Sequence, residues 1–311
     1  MSVINPMTEV RTERVIVGIT REELDNLLAS IFEQHRKSGY FYNDCGGRCD
    51  PDWINTYDKI LSKFDNEQKE FIENLVKSKM SLPGIHRIMD QGCAHANSLR
   101  ELTERFVKEY PTNHFEGYGV SGSLKDMWLG SREWDREITP EQAKLMEKHG
   151  IHPFVSYRDE EERNVRFFGI EDDIHKVMKD FPYELDLVIS DNTYFHLVAP
   201  WLALRRTADR LSVGGVILVR TCFTSGVDYT SGRLMSNETI LRNLRGDNPE
   251  YQIVNSSPNK SHPTIAVIKT REVEFKTNQY LSLVSEGSHR YIRSFYSRDN
   301  PRLDCIAIDT F

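Results

Sequence analysis

Short apolar runs alternate with helical patterns along the chain from Ile85 onwards. Such runs, each predicting a strand, lie at 85–89, 115–120, 165–168, 185–190, 216–220 and 264–268. The strands are nearly continuous in hydrophobicity, as expected where both faces of a sheet are buried. Helical patterns separate most of them, so we predict an α/β fold with a doubly wound, mostly parallel sheet.

Amphipathic helical patterns also flank these strands. After the first strand, one face carries Leu99, Leu102, Phe106 and Tyr110. Before the fifth, an apolar stripe with near-helical spacing runs through Leu197, Trp201, Leu204, Ala208 and Leu211. Apolar residues at such spacing indicate helices that pack one face on the sheet.

The first 80 residues have a different texture and predict a helical N-terminal extension. Helical patterns run over 20–38, 53–63 and 67–79, and Thr20 with an acidic first turn indicates a helix start. The linking stretch GYFYNDCGGRC is interpreted as either a mobile cover carrying Tyr40 and Tyr42 or a surface loop. We place the α/β domain at 81–270.

Two further segments extend that domain. The stretch from about 125 to 163 is longer than a crossover needs, and its Thr139-Pro140-Glu141-Gln142 predicts a capped helix inside an insertion. The tail, 271–311, mixes aromatic residues with arginine, a combination that can bind nucleic acid. Its six acidic residues balance six basic ones, so we interpret it as an extension packed on the sheet.

Composition and charge narrow the classes of partner. The 311-residue chain has a formal net charge of −7 and no block of five basic residues, so nucleic acid is not the expected partner. No apolar run reaches membrane-spanning length, and no membrane partner is expected. Five scattered cysteines indicate a reducing, cytoplasmic setting, and the single pair Cys45 and Cys49 is too few ligands for zinc, so no metal is expected.

The stretch IHRIMDQGCAHANSLREL, residues 85–102, carries the chemistry of the first crossover. A strand ends in Asp90, and small residues follow at alternate positions, namely Gly92, Ala94 and Ala96. A carboxylate and two methyl groups would hold a pyrophosphate poorly, and no G-K-[ST] of a phosphate loop is present. A cationic ligand without phosphate suits Asp90 better.

The pattern Asp-x-Gly-x-Ala-x-Ala after the first strand resembles the motif of class I S-adenosylmethionine-dependent methyltransferases. Further resemblances follow in order: ELDLVISDNTYFHL (184–197), RTADRLSVGGVILV (206–219) and EYQIVNSSPNKSHPTIAVIK (250–269). The resemblance covers about residues 80 to 270. It implies a Rossmann-like, seven-stranded sheet closed by an antiparallel hairpin, S-adenosylmethionine as cofactor, and in-line methyl transfer to a small, medium-sized or peptide acceptor.

The resemblance also implies site residues. The cofactor-binding set is Asp90 for the ammonium group, the turn residues Gly92, Ala94 and Ala96 for the methionine part, Ser121 for the ribose, and Glu171, Asp172 and Ile174 for the adenine. Ser121 departs from the family pattern, which has an acidic residue there. A neutral serine contact is weaker than a bidentate carboxylate contact by ~1–2 kcal/mol.

The loop after the fourth of these strands would face the methyl group and its acceptor. Its ionisable candidates for catalysis are Asp191, Tyr194 and His196. A base is needed only if the acceptor must lose a proton early, and histidine has a suitable intrinsic pKa. The alternative is that Tyr194 and His196 cap the next helix and that Asp191 only orients the acceptor.

Two other functions remain open at this point. A protein that kept the fold for binding or scaffolding would explain Ser121. An RNA ribose 2′-O-methyltransferase would use a Lys-Asp-Lys-Glu set, of which only Asp191 matches. Arg220 stands where a lysine is expected, and the stretch SHPTIAVIK has no glutamate. Arginine cannot act as a neutral base, so this second alternative is disfavoured.

Overall fold

The computed structural model describes the parts of the chain that form the sheet and most of its helices. These are residues 56–93, 96–122, 140–148, 150–154, 164–191, 193–194, 197, 200–220, 226–228, 234–235, 251–256, 264–272 and 283–285, with single helical positions at 25, 26, 29, 30, 33 and 37. The linking stretch with Tyr40 and Tyr42, most of the insertion and most of the tail lie outside them.

Eight strands form the main sheet, in the order β3-β4-β2-β1-β5-β6-β10-β9. Their bounds are β1 Ile85–Gln91, β2 His114–Ser121, β3 Ile151–Phe154, β4 Val165–Glu171, β5 Leu185–Asp191, β6 Leu211–Arg220, β9 Tyr251–Asn255 and β10 Thr264–Lys269. The five central strands are parallel, whereas β3, β9 and β10 pair antiparallel with their neighbours. The predicted fold class, a doubly wound and mostly parallel sheet with a closing antiparallel hairpin, is confirmed, and the edge strand β3 makes eight strands where seven were predicted.

A second, three-stranded sheet has the order β11-β7-β8. Its strands are β7 Gly226–Asp228, β8 Leu234–Met235 and β11 Leu283–Ser285. Strand β11 comes from the tail and pairs antiparallel with β7, so this part of the tail joins the small sheet.

Helices cover both faces of the main sheet. They are α1 Thr56–Leu61, α2 Asn66–Met80, α3 Asn97–Glu109, α4 Pro140–Lys148, α5 Ile174–Asp180 and α6 Pro200–Asp209. One buried cluster joins α1, α2 and α3 to the sheet, and a second joins α5 and α6 to the opposite face. We call these the α1–α3 face and the α5–α6 face. No described helix is long and apolar enough to cross a membrane.

The structure corrects three details of the predicted elements. Leu211 begins β6 instead of ending the preceding helix, because α6 stops at Asp209. The apolar pattern over 67–79 predicts a stripe with Phe71, Leu75 and Val76. On α2, however, Ile72 and Val76 are buried while Phe71 is exposed. The short edge strand β3 was not predicted, since its four residues lie in the segment interpreted as an insertion.

The strand order reverses beside β1, which pairs with β2 on one side and with β5 on the other. The crossover from β1 to β2 passes through α3 on the α1–α3 face, and that from β4 to β5 passes through α5 on the other face. Chain segments therefore diverge at the carboxyl ends of β1 and β5, which is where doubly wound sheets bind ligands.

The opposite, amino edge of the sheet is tied together by Asp186 of β5. Its carboxylate accepts from Ser212 Oγ at 2.5 Å and from the Arg87 backbone N–H at 3.0 Å. Lys79 Nζ and His86 Nδ1 lie 3.2 and 3.3 Å from its oxygens. Burial acts to raise the pKa of Asp186, but these partners hold it at about 2.

We expect Asp186→Ala to lower the free energy of unfolding by about 3–4 kcal/mol, since it leaves the partly buried Lys79 and several hydrogen-bond donors without their acceptor. Because the pKa of Asp186 is depressed, its contribution is present above about pH 4 and is lost as the pH falls towards 2. Urea denaturation at several pH values measures this. Asp58→Ala, which breaks an exposed pair with Arg105, is the control and should cost less than about 1 kcal/mol. Equal losses for the two variants would contradict the assignment.

Candidate functional site

Four polar side chains form a row along the edge of the sheet where β1, β5 and β6 end and the antiparallel β10 begins. Alternate residues of a strand have side chains on the same face of the sheet. The residue two positions from each of these four polar residues packs on the α1–α3 face, so the four polar side chains lie on that face too. Arg220 is the register partner of Asp191 on one side and of Thr264 on the other. Asp90 pairs with Ile189 of β5, two residues before Asp191. We call Asp90, Asp191, Arg220 and Thr264 the carboxyl-edge row.

Asp90 is a buried carboxyl group that no described residue satisfies. It is 5% exposed and accepts no hydrogen bond from the described part of the chain. Burial, with the nearby negative charge of Asp191, raises the pKa of Asp90 to about 7. A cationic group placed beside this carboxyl would supply what the protein does not, because it would stabilise the ionised form.

Asp191, in contrast, is fully paired. The Arg220 guanidinium donates to its two oxygens, from Nε at 2.5 Å and from Nη2 at 2.8 Å. Burial raises the pKa of Asp191 above its ordinary value, while Arg220, Lys59 and Lys63 act against that rise. The two-point contact fixes the plane of the carboxylate, since both oxygens have a defined partner.

The turn after β1 uses its backbone donors within the protein. The N–H groups of Gly92 and Cys93 both donate to the Val120 carbonyl, at 2.7 and 3.1 Å. In phosphate-binding turns such groups point at the ligand instead. Because both N–H groups bind a protein carbonyl, they are not free to bind a phosphate, which agrees with the sequence-based argument against a pyrophosphate. Ala96 precedes α3 with a left-handed φ of 58°, and Ala94 lies outside the described residues.

Gly92 brings this turn against the loop that follows β5. Its φ of +84° is in the left-handed region, and a Cβ built there would lie 1.9 Å from Thr193 Oγ1. Only a residue without a side chain permits this approach. The glycine of the motif therefore joins the two loops that border the edge beside Asp90.

We expect Gly92→Ala to destabilise the protein by about 2–4 kcal/mol, because it adds a steric clash to the cost of a left-handed backbone. Gly214→Ala is a matched control. Its φ is +80°, but its added Cβ meets nothing closer than Lys79 Cδ at 3.7 Å, so it should cost only about 1 kcal/mol. Thermal unfolding measures both. Equal losses would show that Thr193 does not press on this turn.

The residues predicted to contact ribose and adenine divide into two groups. Ser121 and Glu171 are register partners at the ends of β2 and β4, and alternation places them on the α1–α3 face with Asp90. Asp172 instead accepts from its neighbour's backbone N–H and from Lys176. Ile174 is buried in the core of the α5–α6 face. The structure thus brings Ser121 and Glu171 to the edge and directs the other two elsewhere.

Tyr194 lies in the core of the α5–α6 face and is fully buried. Its hydroxyl donates to Gln91 Oε1 at 2.6 Å, and Gln91 Nε2 donates to Thr207 Oγ1 at 3.0 Å. Burial raises the pKa of Tyr194, which opposes loss of its proton. The contact ties the loop after β5 to β1, a structural role that was not predicted. His196, the third candidate for catalysis, lies outside the described residues.

Sequence reasoning missed the partners of these residues. Arg220 was noted only as a replacement for lysine, and neither Gln91 nor Thr264 was singled out. The one available signal was that Arg220, like Asp90 and Asp191, ends an apolar strand. Among the described residues no group of three or more histidine, cysteine or acidic side chains is placed to hold a metal ion.

The raised pKa of Asp90 predicts how stability depends on pH. The folded protein keeps this proton up to about pH 7, whereas the unfolded chain loses it near pH 4, so stability falls as the pH rises between these values. We expect the ligand-free Asp90→Asn variant to gain about 2–4 kcal/mol relative to wild type between pH 4 and pH 8. Urea denaturation of both proteins tests this. A constant difference across that range would contradict the burial of a carboxyl in need of a cation.

Comparison with known proteins gives structural likeness only. No family model matches the sequence, and no curated protein matches it. The sheet itself is Rossmann-like, with five parallel central strands and an antiparallel pair at one edge.

Several solved methyltransferase structures are similar to it. An rRNA methylase from Streptococcus thermophilus is 11% identical with a TM-score of 0.35, covering 66% of this chain and 96% of that one. The plantazolicin methyltransferase in complex with S-adenosylhomocysteine is 12% identical with a TM-score of 0.37, covering 80% and 100%. Phosphoethanolamine N-methyltransferase 2 of Haemonchus contortus, with S-adenosyl-L-methionine, is 11% identical with a TM-score of 0.34, covering 65% of this chain and 53% of that one.

Proposed function

We propose that the carboxyl edge of the sheet binds S-adenosylmethionine and that the protein transfers its methyl group to an acceptor. The observation that carries this proposal is the carboxyl of Asp90, which is buried, receives no hydrogen bond from a described residue and has its pKa raised to about 7. The ligand that best relieves this state has a positive charge, as the ammonium group of this cofactor does.

The residues at the edge fit the rest of the cofactor in part. The N–H groups of Gly92 and Cys93 donate to the Val120 carbonyl and are not free to bind a phosphate, which suits a ligand without one. Ser121 and Glu171 stand side by side at the ends of β2 and β4, where they would meet the ribose and the adenine. Asp172 and Ile174 take no part in this arrangement, because their side chains are engaged elsewhere.

The bound cofactor would supply an electrophilic methyl on a cationic sulfur that leaves as a neutral thioether. The protein's work is then to align an acceptor in line with that methyl and to exclude water. Asp191 would contact the acceptor. It lies on β5, the strand next to that of Asp90, and Arg220 fixes the orientation of its carboxylate. It would orient the acceptor's N–H or O–H by accepting a hydrogen bond. Tyr194 would hold the loop in place through Gln91.

A non-catalytic binding protein with the same fold is the second candidate. Ser121 favours it, since a neutral hydroxyl replaces the acidic residue expected at the ribose and loses ~1–2 kcal/mol of binding. Ribose methylation of RNA receives less support, because Arg220 is held by Asp191 in the place of an expected lysine.

Calorimetric titration with S-adenosylmethionine and S-adenosylhomocysteine tests the proposal. We expect both to bind wild type, and Asp90→Asn to weaken binding at least about tenfold through loss of the charged contact. Because that variant should be no less stable than wild type above pH 7, weaker binding would not reflect unfolding.

Glu184→Gln is the matched control, since it removes an exposed carboxylate at the start of β5, at the amino edge. It should bind both ligands as wild type does. Equal affinity of Asp90→Asn and wild type, or binding of NAD in place of S-adenosylhomocysteine, would refute the proposed site. Absence of binding by either ligand would favour the non-catalytic alternative.

A further inference from the structure

Arg220 keeps hydrogen-bond donors that its ion pair does not use. A guanidinium has five N–H groups, and the contact with Asp191 occupies one on Nε and one on Nη2. The described part of the chain provides no acceptor for the remaining three. The side chain is 24% exposed, so these donors lie within reach of a ligand.

Thr264 stands next to Arg220 on the neighbouring strand β10. The two residues are register partners, so their side chains share the α1–α3 face. Thr264 is fully buried, and its hydroxyl Oγ1 has no hydrogen-bond partner among the described residues. A buried hydroxyl without a partner costs about 1–3 kcal/mol, so its presence beside unused arginine donors calls for a ligand that accepts from both.

Two lysines add positive charge above the same strand ends. Helix α1 packs on β5 and β6, and Lys59 within it and Lys63 just after it are exposed. Both lie near enough to Asp191 to oppose the rise of its pKa. Neither forms an ion pair with a described carboxylate. Arg220, Lys59 and Lys63 thus place three positive charges near Asp191, their single ionic partner among the described residues. This is a local excess of positive charge in a chain whose net charge is −7.

We infer that the carboxyl end of β6 and the adjacent amino end of β10 bind the anionic group, a phosphate or a carboxylate, of a small methyl acceptor. Arg220 and Thr264 would donate hydrogen bonds to its oxygens, and Lys59 and Lys63 would attract it. This inference rests on the proposed function, because it takes the cofactor to bind beside Asp90.

The spacing of the strands supports a small acceptor. Strands β1 and β6 are separated by β5, so their ends are about 10 Å apart at the usual strand spacing. Asp191 lies between them. An acceptor whose anionic group binds at Arg220 would thus have its nucleophilic atom, a few bonds away, beside Asp191. That atom would face the cofactor.

Titration with inorganic phosphate, at constant ionic strength set by chloride, tests the anion site directly. We expect wild type to bind phosphate and the double variant Lys59→Gln/Lys63→Gln to bind it about tenfold more weakly. Thr264→Val should weaken phosphate binding about threefold through loss of one neutral hydrogen bond. Calorimetry or chemical-shift titration measures both.

Lys77→Gln/Lys108→Gln makes the same charge change on exposed positions of α2 and α3, and should leave phosphate binding unchanged. Equal weakening in this control, or no phosphate binding by wild type, would overturn the inference. So would tight retention of a short single-stranded RNA that depends on Lys59 and Lys63, since the acceptor would then be a nucleic acid.

Binding of S-adenosylhomocysteine separates this inference from the proposed function. It should be unaffected by Lys59→Gln/Lys63→Gln, because the lysines lie on the acceptor side. A wild type that binds phosphate but not S-adenosylhomocysteine would leave an anion site without the proposed donor. A wild type that binds S-adenosylhomocysteine but not phosphate would refute the anion site alone.

Discussion

The site depends on two carboxyl groups, Asp90 and Asp191, that neighbouring parallel strands hold on one face. Burial raises the pKa of each, and the negative charge of Asp191 adds to the rise for Asp90. One fixed cation, Arg220, pairs with Asp191 and leaves Asp90 without a partner among the described residues. This asymmetry separates a paired carboxylate suited to orienting an acceptor from an unpaired one suited to a cationic ligand.

The two edges of β5 show how surroundings decide what an aspartate does. Asp186, at the amino edge, has partners on several elements, and its pKa is about 2. Asp90, at the carboxyl edge of the adjacent strand, has none among the described residues, and its pKa is about 7. Ionised Asp186 therefore stabilises the fold, whereas ionised Asp90 destabilises it. Residues of binding sites commonly reduce the stability of the protein in this way.

The polar groups around the edge follow the same division. Donors of the Gly92 turn bind the Val120 carbonyl, and the Tyr194 hydroxyl binds Gln91, so both hold the loops in place. Among the described residues of this edge, unused capacity remains on the carboxyl of Asp90, on three donors of Arg220 and on the hydroxyl of Thr264. Their order along the edge, from an acceptor to two donors, fits a cationic ligand beside an anionic one.

The sequence by itself determined the central strands, the parallel sheet and the position of Asp90, because apolar runs and small-residue turns are local signals. It also indicated that Ser121, Glu171 and Asp191 end strands. Only the tertiary structure decided that Asp191 pairs with Arg220, that Tyr194 is a core residue and that Ile174 faces the opposite core. Those outcomes depend on strand register and on which face each helix covers. Both are set by contacts between residues far apart in the chain, such as Thr264 with Arg220, which no local pattern records.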